Sequence, residues 1–309
     1  MPAEVHGILL LDKPLQASSA GAVARVKRLF QAHKAGHTGS LDPLATGLLP
    51  ICLGEATKFG APLLEADKTY RVTVRLGERT PSADRESPVV ERRALPPFTT
   101  EDLSEALREF PRAYAQVPPM HSALKQQGRP LYEYARAGET RERAARDIVI
   151  HELHLVEWRS PELTFEVRCS KGAYIRVMAE DLAARLGTIG HLAVLRRVAV
   201  TPFGTLASPP DLWTFEALEA LPLERRRELL LPVDAALTGC GRLDLPAESL
   251  QAFLRGQAVP VPPDAGGGSA PRVRVYGAGR GFLGLGSIEP PGRLVPVRLV
   301  AAGQIDDRP

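Results

Sequence analysis

The chain has 309 residues, 44% of them apolar and 24% charged, the make-up of a water-soluble globular protein with room for one large unit and a smaller one. No run of eighteen apolar residues occurs, which excludes a spanning helix, and the opening MPAEVHGILLLDKP lacks the basic region, long apolar core and cleavage site of a signal peptide. Net charge is only +3, and the three cysteines (Cys52, Cys169, Cys240) lie far apart without Cys-x-x-Cys spacing; neither a disulfide framework nor a zinc site is indicated, and a reducing, cytoplasmic setting is expected.

In chain order, ILLLDKP (residues 8–14) predicts a short buried strand stopped by Pro14. Ser18 or Ser19 then caps a helix with Val23, Val26, Leu29 and Phe30 on one side and Lys27 and Arg28 nearer the other. Residues 21–40 hold Arg25, Lys27, Arg28, Lys34, His33 and His37 and no acidic residue. One-signed charge of this kind suits an ordinary solvated face, and it also suits a surface that meets phosphates.

Next comes GHTGSLDPLATGLLP (36–50), where a single carboxylate, Asp42, stands among three glycines and two prolines. Locally, Asp before Pro reads as a helix start, with Asp42 capping free N–H groups and Pro43 in the first helical position. The stretch lacks the G-x-x-x-x-G-K-[ST] of a nucleotide-binding loop, a partner carboxylate of the kind a glycosidase uses, and enough ligands for a metal.

KTYRVTVRLG (68–77) alternates Tyr70, Val72, Val74 and Leu76 with Arg71, Thr73 and Arg75, which predicts a strand with one buried face. Residues 80–98 read as a loop, 100–110 as a helix, and the polar, basic 117–147 as an excursion from the core. LTFEVRCS (163–170) alternates again and turns at Lys171-Gly172 into a helix, in which Ile175, Met178, Ala179, Leu182 and Leu186 share a face and Gly187 is the stop. Beyond LLLPVDAAL (229–237), strand-like pieces RVRVYG, GFLGLGSI and VPVRLV, interrupted by a Gly/Pro-rich loop at 262–271, predict a small all-β unit.

Six blocks carry a resemblance, in order along the chain: GILLLDKP, AGHTGSLDPLATGLLPICLGEATK, DKTYRVTVRLG, SALKQQGRPLYEYARAG, CSKGAYIRVMAEDLAARLG and HLAVLRRVAV. Together they resemble the TruB family of tRNA pseudouridine synthases, from about residue 6 to 236 and more weakly beyond. The resemblance implies an α/β (α+β) pseudouridine synthase fold: a mixed, largely antiparallel sheet flanked by helices, plus a small C-terminal β-rich PUA-like domain. Residues 1–236 would be the catalytic domain with an RNA-binding insertion at about 117–147, and 237–309 the PUA-like domain. The implied reaction isomerises the uridine at position 55 in the T arm of tRNA, with no cofactor, no metal and no obligate protein partner. A monomer is expected.

The resemblance also assigns residues. Asp42 becomes the nucleophile, supported by Tyr70 and Arg176, while His37, Tyr174, Leu195 and Lys13, with Tyr70, meet the substrate. The chemistry is coherent. An aspartate is already ionised at neutral pH and needs no base, but a flipped uracil displaces water and drives a carboxylate towards its neutral form. The implied cation, Arg176, counters that drift. On pattern alone Tyr70 is a core tyrosine, His37 a turn histidine, and Arg176 an arginine oddly close to the positive end of a helix dipole. Two positions depart from the family: TPSADRES (80–87) keeps Thr80 and Asp84 but not the usual first Asp and the Gly, and His121 stands where tyrosine is common. A tRNA folding factor and a guided synthase of the dyskerin type are the competing readings; loss of activity in Asp42→Asn would separate the synthase from the folding factor.

Overall fold

In the computed structural model, which describes residues 4–122, 124–262, 272–277 and 281–301, β1 (Gly7–Lys13) leads into α1 (Ser19–Leu29), β2 (Ala35–His37), β3 (Ala45–Leu53), α2 (Ala61–Glu65) and β4 (Lys68–Leu76). Then come α3 (Thr100–Arg108), β5 (Ala113–Gln116), β6 (Arg146–Arg159), β7 (Glu162–Cys169), α4 (Ile175–Arg185) and β8 (Gly190–Val200). The strands run β1-β3-β8-β4-β7-β6-β5, with β2 added on β3, to make an eight-stranded sheet. Every pairing is antiparallel except β8 on β3, so the sheet is mixed and largely antiparallel as expected.

The alternating segments behave as their period dictates. Tyr70, Val72, Val74 and Leu76 of β4 and Leu163, Phe165, Val167 and Cys169 of β7 point into one core, with Phe165 opposite Val72 and Val167 opposite Tyr70. α1, α3 and α4 close that core with Val26, Phe30, Leu103, Leu107, Met178 and Leu182. Ser18 caps α1 by accepting from the Gly21 N–H, and Gly187, at φ +71°, ends α4.

The helix start expected at Asp42-Pro43 does not form. The Ala45 N–H donates to the Asp42 carbonyl in a tight turn, and the chain enters β3 instead. β3 is buried along almost its whole length between β1 and β8, so sheet partners distant in sequence override the local capping signal. Gly47 makes the crossing with β8 close. Its φ is +98°, and a Cβ there would lie 2.2 Å from the Arg197 carbonyl oxygen. Gly47→Ala is therefore expected to cost about 3 kcal/mol or more of folding stability, read from urea unfolding midpoints.

The 80–98 segment is mostly loop, carrying the end of a short pairing of 78–79 with 91–92 and a single bridge from Asp84 to Leu192 of β8. The 117–147 excursion holds a small hairpin (125–126 with 129–130) and a helical turn at 131–136, and its last two residues already belong to β6. Towards the C-terminus, β9 (Gly241–Leu245), α5 (Ala247–Leu254), β10 (Val259–Pro260), β11 (Val273–Gly277), β12 (Phe282–Glu289) and β13 (Arg293–Leu299) follow, the strands forming a second sheet of five. The three expected strands are present, but the unit is not all-β: α5 buries Leu250 and Phe253 against it. From residue 263 the expected Gly/Pro-rich loop lies outside the described residues.

This second sheet shares a core with the first. Ile8, Leu48, Cys52 and Phe59 pack with Leu237, Phe282, Leu285 and Val300, and the Phe59 and Phe282 rings meet edge-on at 5.1 Å. Glu55 adds a polar tie by accepting from the Ala301 N–H at 2.7 Å and from Lys58. Among the described residues no helix is long and apolar enough to cross a membrane.

Candidate active site

The turn at 39–44, the start of β4, the start of α4 and the middle of β8 surround a cavity of about 260 Å³. Asp42, Tyr70, Tyr174, Arg176 and Leu195, all singled out in the sequence, line it together. A second cavity of about 580 Å³ adjoins it, sharing Ser40, Leu41, Asp42, Ser122 and Arg176 and adding His37, Asp84, Glu86 and His121. Asp42 and Arg176 thus stand at the boundary between the two.

Arg176 is 4% exposed, and both terminal nitrogens of its guanidinium have partners. Nη2 lies 3.0 Å from Asp42 Oδ2 and donates to the His121 carbonyl; Nη1 donates to the Ser82 carbonyl at 3.2 Å and lies 3.7 Å from Asp84 Oδ2. Two carboxylates therefore offset the unfavourable helix dipole noted in the sequence. Asp84 is itself fixed, accepting from the Ser82 hydroxyl and the Glu86 N–H, while Thr80 donates to its carbonyl. The departing 80–87 loop is thus a brace for Arg176.

The Asp42 side chain keeps 41% of its surface open, towards the cavities, with protein packed behind it. That confinement raises its carboxyl above the ordinary aspartate value; Arg176 opposes the rise, and the neighbouring Asp84 charge adds to it. Arg176 thus favours the charged form of this half-buried carboxylate against the confinement that disfavours it. Burial pushes the Tyr70 hydroxyl up, with the Arg197 guanidinium working against it. His37 is pulled below the usual histidine value by burial and by Arg197, which favours its neutral ring; its Nδ1 is buried without a partner.

Lys13 lies beneath the site rather than on either cavity wall. It is wholly buried, and Nζ donates to the carbonyls of Pro14, Ala17 and, at 3.4 Å, Pro43, which braces the turn that carries Asp42. Burial lowers its pKa to about 8 against the pull of Asp42.

Two site residues were not singled out from sequence. Asp84 was visible only as a retained position in an altered loop. Arg197, 1% exposed, donates to the carbonyls of Leu48 (2.7 Å) and Gly39 (3.0 Å), stapling both ends of the segment that holds Asp42. Its signal was parity: it shares the strand face of Leu195, where a buried arginine needs partners. Among the described residues no group of three or more His, Cys, Asp or Glu side chains is arranged to hold a metal ion.

Comparison with known proteins agrees with this geometry. The family model for TruB family pseudouridylate synthase (N terminal domain) matches residues 27–175. Models described as tRNA pseudouridylate synthase B C-terminal domain and as Pseudouridine synthase II TruB, C-terminal match 176–238 and 241–300. The chain is 50% identical to tRNA pseudouridine synthase B of Ralstonia nicotianae over 305 residues, 96% of this chain and 95% of that one. To the enzyme of the same name from Actinobacillus pleuropneumoniae it is 48% identical over 299 residues, 96% of each. Among solved structures, the crystal structure of a Cbf5-Nop10-Gar1 complex superimposes with a TM-score of 0.69 at 22% identity, covering 95% of this chain and 84% of that one, a likeness of fold. Half-identity over nearly the whole length, with family models running from residue 27 to 300, establishes that the chain belongs to the TruB family of pseudouridine synthases and is an enzyme of the pseudouridine synthase fold with a PUA-like C-terminal unit.

Proposed function

We propose that the enzyme isomerises the uridine at position 55 in the T arm of tRNA to pseudouridine, with Asp42 as the nucleophile. The coarser part, uridine isomerisation in tRNA, rests on half-identity to enzymes named for that substrate. The choice of position 55 follows from the family that the sequence blocks resemble, and the role of Asp42 is supported by one observation: a carboxylate held 3.0 Å from a buried guanidinium, open to a base-sized cavity whose other walls include Tyr70, Tyr174 and Leu195.

The target uridine leaves its stack, at a cost of a few kcal/mol, and enters the cavity. His37, neutral and in the adjoining cavity, stacks in the gap. Asp42 forms a bond to the nucleoside and later gives it up; between those steps the N1–C1′ bond breaks, and a C5–C1′ bond forms. The hydrogen on C5 is lost to water and N1 takes up a proton. Tyr70 packs against the uracil with its hydroxyl placed to help move the C5 proton. Residues 1–236 act as the catalytic domain, with the 117–147 insertion gripping RNA, and 237–309 as a PUA-like RNA-binding domain; phosphate contacts make binding salt-sensitive. The enzyme works as a cytoplasmic monomer without an obligate protein partner, as such a substrate allows.

The test is a tRNA transcript tritiated at uracil C5. Release of a single equivalent per tRNA, absent when position 55 is cytidine, is the expected result. Undiminished release from the cytidine transcript would overturn the site assignment, and no release from either would overturn the substrate.

A further inference from the structure

Gln116 ends β5, at the root of the 117–147 excursion, and is 2% exposed. Its side-chain amide meets the backbone of Tyr174 as one strand meets another. Oε1 accepts from the Tyr174 N–H at 2.7 Å, and Nε2 donates to the Tyr174 carbonyl at 3.1 Å and to the Tyr114 hydroxyl at 3.1 Å. Tyr174 is extended (φ −98°, ψ 104°) and stands at the N-cap of α4 without a side-chain cap of its own. A distant glutamine therefore supplies the fixation that the helix start lacks. Two bonds to one residue set both the position and the rotation of the first turn of α4.

That turn carries Tyr174, on the cavity wall, and Arg176, which must reach Asp42 and Asp84 together. Five residues beyond Gln116, the His121 carbonyl takes a further bond from Arg176. The root of the excursion thus touches the catalytic arginine by two routes, once through the helix start and once directly. A misplacement of about 1 Å at a reacting group costs on the order of 100-fold in rate, so the clamp has kinetic weight that buried packing alone would not give it.

We propose that Gln116 is a positioning residue for uridine isomerisation, acting through Tyr174 to place Arg176 against Asp42. The inference rests on the assignment of Asp42 and Arg176 to the reaction. Its test is single-turnover tritium release at saturating enzyme, with tRNA affinity measured separately, for Gln116→Leu in wild-type and Arg176→Lys backgrounds. Gln116→Leu is expected to slow release about 30-fold, the scale of two lost hydrogen bonds, while the Kd for tRNA stays within about twofold. In the Arg176→Lys background the same change should cost under about threefold, because the group it positions is already altered. Should the leucine variant not fold, Gln116→Glu, equal in size but without the N–H donors, takes its place with the same expectations. A wild-type rate, a full loss in both backgrounds, or a loss confined to affinity would overturn the proposal. An inactive wild-type enzyme, or an active Asp42→Asn, would instead overturn the underlying assignment.

Discussion

Asp42→Asn is expected to lose tritium release by about 10⁴-fold or more while still binding tRNA, the scale seen when a nucleophile is removed from a machinery that otherwise stays intact. Asparagine keeps the size of the side chain and one oxygen that can accept from Arg176, whose other contacts to Ser82, His121 and Asp84 remain. The cavity and the fold are therefore preserved, and what disappears is the anionic oxygen that forms the bond. Paired single-turnover and filter-binding measurements separate the two properties. A variant that binds but does not release supports Asp42 as the nucleophile; release within tenfold of wild type would remove it from that role. A factor that acted only by remodelling tRNA would be indifferent to the change.

Arg176→Met is the next largest effect, and its pH dependence is its signature. Arg176 is the charge that opposes confinement at Asp42, whose carboxyl already sits above its ordinary value. Without the guanidinium, the Asp84 charge acts on Asp42 opposed only by Lys13 from beneath, and the Asp42 pKa climbs further. Only the ionised form attacks, so the acid limb of the rate profile moves to higher pH. The expected loss is about 10³-fold near neutral pH and smaller in alkaline buffer. Unfolding should also become easier by about 3–5 kcal/mol, the usual consequence of removing one partner from a buried charge pair. A variant whose rate profile stays parallel to that of the wild type at every pH would sink the electrostatic role.

Much of the fold was legible because its signals are local and periodic. The alternation in β4 and β7, the apolar face and stop of α4, and the Ser18 cap each need only a few neighbouring residues to be read. The errors arose where long-range pairing decides. Asp42-Pro43 carries good capping chemistry, yet the segment after it is captured between β1 and β8, partners that lie far away in sequence. α5 spans only eight residues between Pro246 and Gly256, too short for its helical period to stand out among the strand-like pieces around it.

The site divides in the same way. Asp42, Tyr70, Tyr174, Arg176 and Leu195 came from family blocks, and the structure brings all five to one cavity. Arg197 and Gln116 donate to backbone carbonyls far away in sequence, and Asp84 meets Arg176 from a distant loop, partners that local spacing does not reveal. Lys13 shows the opposite case: its block was recognisable, but only the three carbonyls around Nζ reveal that it supports the turn from below.

The core shared by Phe59, Leu48, Phe282 and Val300 makes the two sheets one solid body. An RNA that touches both is therefore gauged as by a fixed caliper. Its bend would have to match the span between the jaws, since parting them would break the packing of Phe59 on Phe282. Discrimination of this kind would fall on the outline of the folded RNA rather than on its letters, and would be settled at docking, before any base had left its stack.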